Sequence, residues 1–168
     1  MTRRGFAVIA LGAALALGGC STTPRASGMR VAELALPRTQ PHPLSVHVEG
    51  GGSADYHVHD EAFREALVDS LVAARAFSAV VGEGGAYRLD AVLGDLRQPV
   101  GGLNEPTEMT VLWSVSRGDT GETVWQELVR TTGTSANFFG AWRIRNAAEE
   151  AARENIRRAL ALLAEADL

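Results

Sequence analysis

The spacing of apolar residues changes character along this chain, and each change marks a new element. From Gly5 to Leu17 the apolar positions are contiguous and uncharged, directly behind a basic Arg3-Arg4 start. A helix of that length rises about 20 Å, short of the ~30 Å core of a bilayer, so the run reads as a cleaved secretory signal rather than a span. Periodicity then vanishes until residue 43, where four of the six prolines fall at 24, 37, 41 and 43. Proline removes donors and fixes φ, so residues 20–43 are expected to be a tether without regular structure.

The folded domain, residues 44–168, is expected to open with an apolar–polar alternation over Leu44–Val48, a strand. Asp60 has the chemistry of an N-cap, and Phe63, Leu67, Leu71 and Ala74 then fall on one face of a helix reaching about Ser78. Tyr87, Leu89, Ala91 and Leu93 alternate as a second strand; Met109, Val111, Trp113 and Val115 alternate as a third. A three-residue turn, Asp119-Thr120-Gly121 with glycine left-handed, would set Val115 opposite Trp125 and Val111 opposite Val129. Both strands then keep their large apolar residues on one face, with Glu127 opposite Trp113 as the misfit. From Phe138 to Asp167, Ile144, Ala148, Ala152, Ile156, Ala159 and Leu163 recur at helical spacing, with Glu149–Arg153 and Glu154–Arg158 as expected i,i+4 pairs and Ser135 or Asn137 as the cap.

The order β-α-β-β-β-α predicts a two-layer α+β sandwich: a four-stranded mixed sheet with two helices on one face. The first two strands should be parallel across a helical crossover and the last three a meander.

The single cysteine, Cys20, ends the segment Leu17-Gly18-Gly19-Cys20. This resembles the bacterial lipobox: an aliphatic residue, two small residues, then Cys. The resemblance implies cleavage of residues 1–19, a thioether-linked diacylglycerol on Cys20 and acylation of its new amine with fatty acid such as palmitate. One acyl chain binds a membrane only marginally and reversibly, whereas several on one residue make a durable anchor. Ser21 stands where the resemblance places Asp in proteins retained at the inner membrane, so the periplasmic face of the outer membrane is expected.

Composition narrows the partners. There is no lysine, and without Arg3 and Arg4 the 16 basic residues fall to 14 against 20 acidic, a formal charge of −6. Nucleic acid, which rewards a basic face through counterion release, is an improbable partner. With one cysteine no intramolecular disulfide can form, so stability rests on packing.

Chemistry-bearing groups are sparse. All four histidines, His42, His47, His57 and His59, lie within a short stretch, and His57 and His59 could share a side as two ligands of a metal-dependent hydrolase. Zinc needs a third or fourth ligand, for which Asp55, Asp60 and Glu61 are only neighbours in sequence. A polar loop before a helix is the more economical reading, with no catalytic residue and no metal or other cofactor. Gly82-Glu83-Gly84-Gly85 lacks the spacing of a phosphate loop and reads as a turn.

The helix stretch Ala141 to Ile156, with Arg143, Ala147, Glu149, Ala151, Arg153 and Asn155, resembles a family of small uncharacterised proteobacterial outer-membrane lipoproteins, as do Ala86-Tyr87-Arg88-Leu89 and Thr110-Val111-Leu112-Trp113. The layout is also similar to the lipopolysaccharide-assembly lipoprotein and to auxiliary lipoproteins of lipid-transport ABC systems. These resemblances transfer no functional residue. They imply a non-enzymatic interaction module in envelope assembly or transport, or else a carrier shielding a lipid or other amphiphile between sheet and helices. The expected register leaves the second sheet face half aliphatic, with Val92, Leu112, Val124 and Leu128 as candidate contacts for an envelope protein partner.

Overall fold

The structure, a computed structural model, describes residues 22–54, 57–98, 106–137 and 139–168. The expected signal segment and Cys20 lie outside them. Three helices and five strands follow in chain order: α1 Ala26–Met29, β1 Gln40–Glu49, α2 Asp60–Ala74, β2 Phe77–Val81, β3 Tyr87–Arg97, β4 Thr107–Arg117, β5 Thr123–Gly133 and α3 Gly140–Glu165. The strands form one open sheet in the order β2-β1-β3-β4-β5. β1 runs parallel to both β2 and β3, and β3, β4 and β5 form an antiparallel meander.

The architecture is therefore α+β with a mixed sheet, but with five strands where four are expected. The extra strand is β2. Helix α2 stops at Ala74, not near Ser78, because Arg75 adopts a left-handed conformation (φ 51, ψ 41) and the Ala76 N–H bonds back to the Leu71 carbonyl. Freed from the helix, Phe77–Val81 pairs with the outer side of β1. Asp60 is not the cap either: His59 holds that position, and the Asp60 carboxylate accepts the Gly51 N–H at 2.6 Å, pinning the glycine-rich loop to the helix start.

The hairpin register is the expected one, with Val115 opposite Trp125, Val111 opposite Val129 and Trp113 opposite Glu127. The turn is longer by one residue. Arg117 N–H bonds to the Glu122 carbonyl, Gly121 takes φ +72, and the surplus is absorbed as a bulge between Val115 and Ser116.

Helices α2 and α3 cover one face, and Trp113, Phe63, Leu67, Leu89, Val111 and Ile156 are fully buried between the layers. Trp113 and Phe63 rings meet with centroids 5.9 Å apart. Trp125 shares that face and is half-buried. The deepest polar group is Asn155 of α3, whose amide accepts the Trp113 Nε1–H at 2.9 Å and donates to the Val129 carbonyl at 3.0 Å and Thr131 Oγ1 at 3.1 Å. Thr131 Oγ1 in turn donates to the Ala151 carbonyl at 2.8 Å. On the outer side of α3 the expected i,i+4 pairs give way to Arg145–Glu149, Glu150–Arg153 and Glu154–Arg157. Asn137 Oδ1 does hold the approach to α3, accepting the Phe139 N–H at 3.0 Å, but Phe139 is the N-cap residue and makes no side-chain cap of its own.

The N-terminal segment departs furthest from expectation. From Pro24 on, the tether is docked on the helical layer. Met29 and Val31 are buried, the Val31 N–H donates to Ser70 Oγ at 2.9 Å, the Arg25 N–H donates to Glu149 at 2.9 Å, and Arg153 donates to the Gly28 carbonyl at 2.9 Å. Two of the four prolines, Pro41 and Pro43, lie inside β1 itself. Burying two large apolar side chains stabilises by about 1.5–3 kcal/mol each, enough to hold a short segment that has few backbone bonds of its own.

Two substitutions test this core. Asn155→Ala leaves the Trp113 indole N–H and the Thr131 hydroxyl without their shared partner, and is expected to lower unfolding free energy by about 2–3 kcal/mol in urea titration. Gly133→Ala places a methyl against the Ala147 carbonyl and the Ala151 nitrogen of α3. It is expected to lower the melting temperature clearly, whereas Gly84→Ser, in open space, should cost only turn strain.

Candidate functional site

Over 88–92 of β3, 110–114 of β4 and 126–130 of β5 the even-numbered side chains turn away from the helices. Register sets these out in rows across the sheet: Val92 opposite Leu112, and Leu112 opposite Leu128. The next row holds His47, Asp90, Ser114 and Gln126. Three aliphatic side chains from three strands therefore make one continuous strip. Leu112 is 36% exposed and Leu128 51%; Val92 is half-buried. Val124, the fourth candidate, is half-buried at the bulge, separated from the strip by the Gln126 row.

Charge borders the strip. Arg88 binds Asp90 at 2.8 Å, and His47 lies 3.5 Å from Glu49. Arg130, opposite Thr110, is exposed at the far end. Among the described residues the helices cover the other face: α2 meets β1 and β2, α3 meets β4 and β5, and it is the odd-numbered residues of β4, from Thr107 to Val115, that are buried.

The histidines do not converge on a ligand set. His57 lines a cleft of about 360 Å³ with Gly50, Gly51, Leu93, Leu96 and Met109. His59 lies on the α2 cap with its Nε2 3.3 Å from the Ala54 carbonyl. Asp60 is engaged by Gly51, Glu61 pairs with Arg64 at 3.0 Å, and Asp55 lies outside the described residues. The Arg64 guanidinium holds the Glu61 carboxyl below the usual carboxylate range through its hydrogen bond and its charge. Among the described residues no three of His, Cys, Asp and Glu are grouped to hold a metal ion. The geometry thus separates what the HVHD sequence brings close. Gly82–Gly85 is a turn before β3, lining a shallow cleft with Ser45, His47 and Arg88.

Trp142 reads from the sequence as a core residue beside Trp113 and Trp125, but the structure exposes it in a second surface group. Phe139 is 63% and Trp142 37% exposed, and their rings meet edge to face at 5.4 Å on the first turn of α3. Its signal was available: residues 134–146 contain Arg143 and Arg145 and no acid, in a chain that is acidic overall.

No family model matches the sequence, and no curated protein is similar to it. Solved structures do share the fold. Protein XCC0632 from Xanthomonas campestris, of the family DUF330, superposes with a TM-score of 0.60 at 9% identity over 80% of this chain and 89% of that one. PelC from Paraburkholderia phytofirmans, solved as a dodecamer, gives 0.54 at 15% identity over 82% and 96%. A candidate lipoprotein from Caulobacter crescentus gives 0.50 at 19% identity over 71% and 87%. At these identities the likeness is one of fold: an open mixed sheet with helices on one side.

Proposed function

We propose that this chain is a lipoprotein held by Cys20 at the periplasmic face of the outer membrane, where it acts as a non-enzymatic docking module for another envelope protein. The observation that carries the reading is the uncovered strip Val92–Leu112–Leu128, contiguous over three strands and bordered by charge. Interfaces of this kind combine an apolar centre with a polar rim. The lipobox at Leu17–Cys20 and the candidate lipoprotein from Caulobacter crescentus with the same fold support the anchor. The carrier alternative needs room for an acyl chain between sheet and helices, and that space is taken by Trp113, Phe63, Leu67 and Leu89.

Replacing Cys20 with Ala is expected to abolish incorporation of labelled palmitate and to leave an uncleaved precursor. A wild-type protein that takes up no label and begins at another residue would refute the anchor. For the docking face, Leu112→Asp together with Leu128→Asp is expected to remove a partner cross-linked in native membranes while leaving the melting temperature within a few degrees of wild type. Unfolding of this double variant would make the strip part of the core. Retention of every cross-link would put docking elsewhere.

A further inference from the structure

We propose that Phe139 and Trp142 form a second contact with the bilayer, orienting the domain that the lipid merely tethers; this rests on the reading of Cys20 as the anchor. Acyl chains fix where a protein is, but a flexible attachment leaves its orientation free. Here the attachment is short. The Arg25 N–H is fixed on Glu149 of α3, and Pro24 is buried, so five Cα spacings separate the lipidated residue from a fixed point. Five spacings span at most about 18 Å.

Trp142 lies seven residues before Glu149 on the same side of α3, about 10 Å away along the helix axis. The aromatic pair is therefore within reach of the membrane surface that holds Cys20. Its chemistry suits that surface. Aromatic rings are favoured at the level of the headgroups, where the ring edge is wet and its body is not. Arg143 follows the pair, no acid occurs from 134 to 146, and the next acid along the helix, Glu149, is engaged by Arg145 and the Arg25 N–H. A net-positive, aromatic helix start in an otherwise acidic domain matches an anionic lipid surface.

The test uses the mature full-length protein, purified from membranes and reconstituted into phosphatidylethanolamine–phosphatidylglycerol vesicles in which some lipids carry a spin label on the acyl chain near the headgroup. Trp113 is buried and Trp125 half-buried, and both remain in Trp142→Phe, so the difference in quenching between wild type and that variant reports on Trp142. The expected result is spin-label quenching in wild type that is lost in Trp142→Phe and reduced in Phe139→Ser, with unchanged circular dichroism in both. Equal quenching in wild type and Trp142→Phe, in protein shown to carry labelled palmitate, would overturn the second contact and leave the anchor standing. Shielding of Trp142 from aqueous iodide without spin-label quenching would mean that protein covers it, and would also overturn the proposal. Absence of palmitate from the purified protein would overturn the anchor and the contact together, and the label assay separates that outcome from the other two.

Discussion

The amide of Asn155 is the constraint on which the two layers depend. It is fully buried on α3, yet each of its polar atoms is used: the oxygen by the Trp113 indole, the nitrogen by β5 at Val129 and Thr131. An apolar residue there would pack, but it would not choose one placement of the helix over another. A buried amide is satisfied only at one height and one rotation of α3, because an unmet partner costs about 1–3 kcal/mol. Thr131 adds a second fixed point through the Ala151 carbonyl, and Gly133 lets the helix backbone approach the strand end directly. The many alanines of the inner face, Ala147, Ala148, Ala151 and Ala152, are what that close approach permits.

The same geometry accounts for the misfit at Glu127. Helix α3 packs over the later half of β5, where Val129, Thr131 and Gly133 are buried, and leaves Thr123 and Glu127 exposed. β5 is an edge strand of eleven residues, a length that invites pairing with another chain. An inward-facing charge and a bulge are two devices that blunt such an edge, since a strand added beside β5 would have to accept both. Glu127 and the irregularity at Val115/Ser116 supply them on one strand. The other edge, β2, is only five residues long. Edge protection at both ends leaves the open face as the broad unpaired surface of the sheet.

How much of this is legible in the sequence depends on whether an element is specified locally. The β4–β5 register follows from side-chain alternation, because a one-residue slip exposes Trp125 and Val129, and the longer turn does not disturb it. The long helix declares itself by its period. β2 does not: five residues with two exposed positions carry too little alternation, and the left-handed Arg75 that frees them lacks the glycine that usually marks such a stop. The prolines mislead for a similar reason. Proline forbids a donor, not a position, so Pro41 and Pro43 can lie in β1 while Met29 and Val31 dock by burial and by bonds to side chains such as Ser70. His57 and His59 show the reverse error, neighbours in sequence that the start of α2 directs to different partners.

The docked N-terminal segment also decides which surface is available for work. α1 lies against α2 and α3, and those helices cover one side of the sheet, so the chain leaves toward Cys20 from the helical side. Val92, Leu112 and Leu128 project from the opposite side. On the anchored reading, a domain with so short a free link cannot turn over at will, and a contact at Phe139 and Trp142 would restrict it further. The strip would then face away from the attachment point, held at a set distance from the bilayer and open to a partner approaching from the periplasm. A long free tether would have separated those two properties. The burial of Met29 and Val31 couples them, so that loosening the N-terminal segment should alter docking even though no residue of the strip is touched.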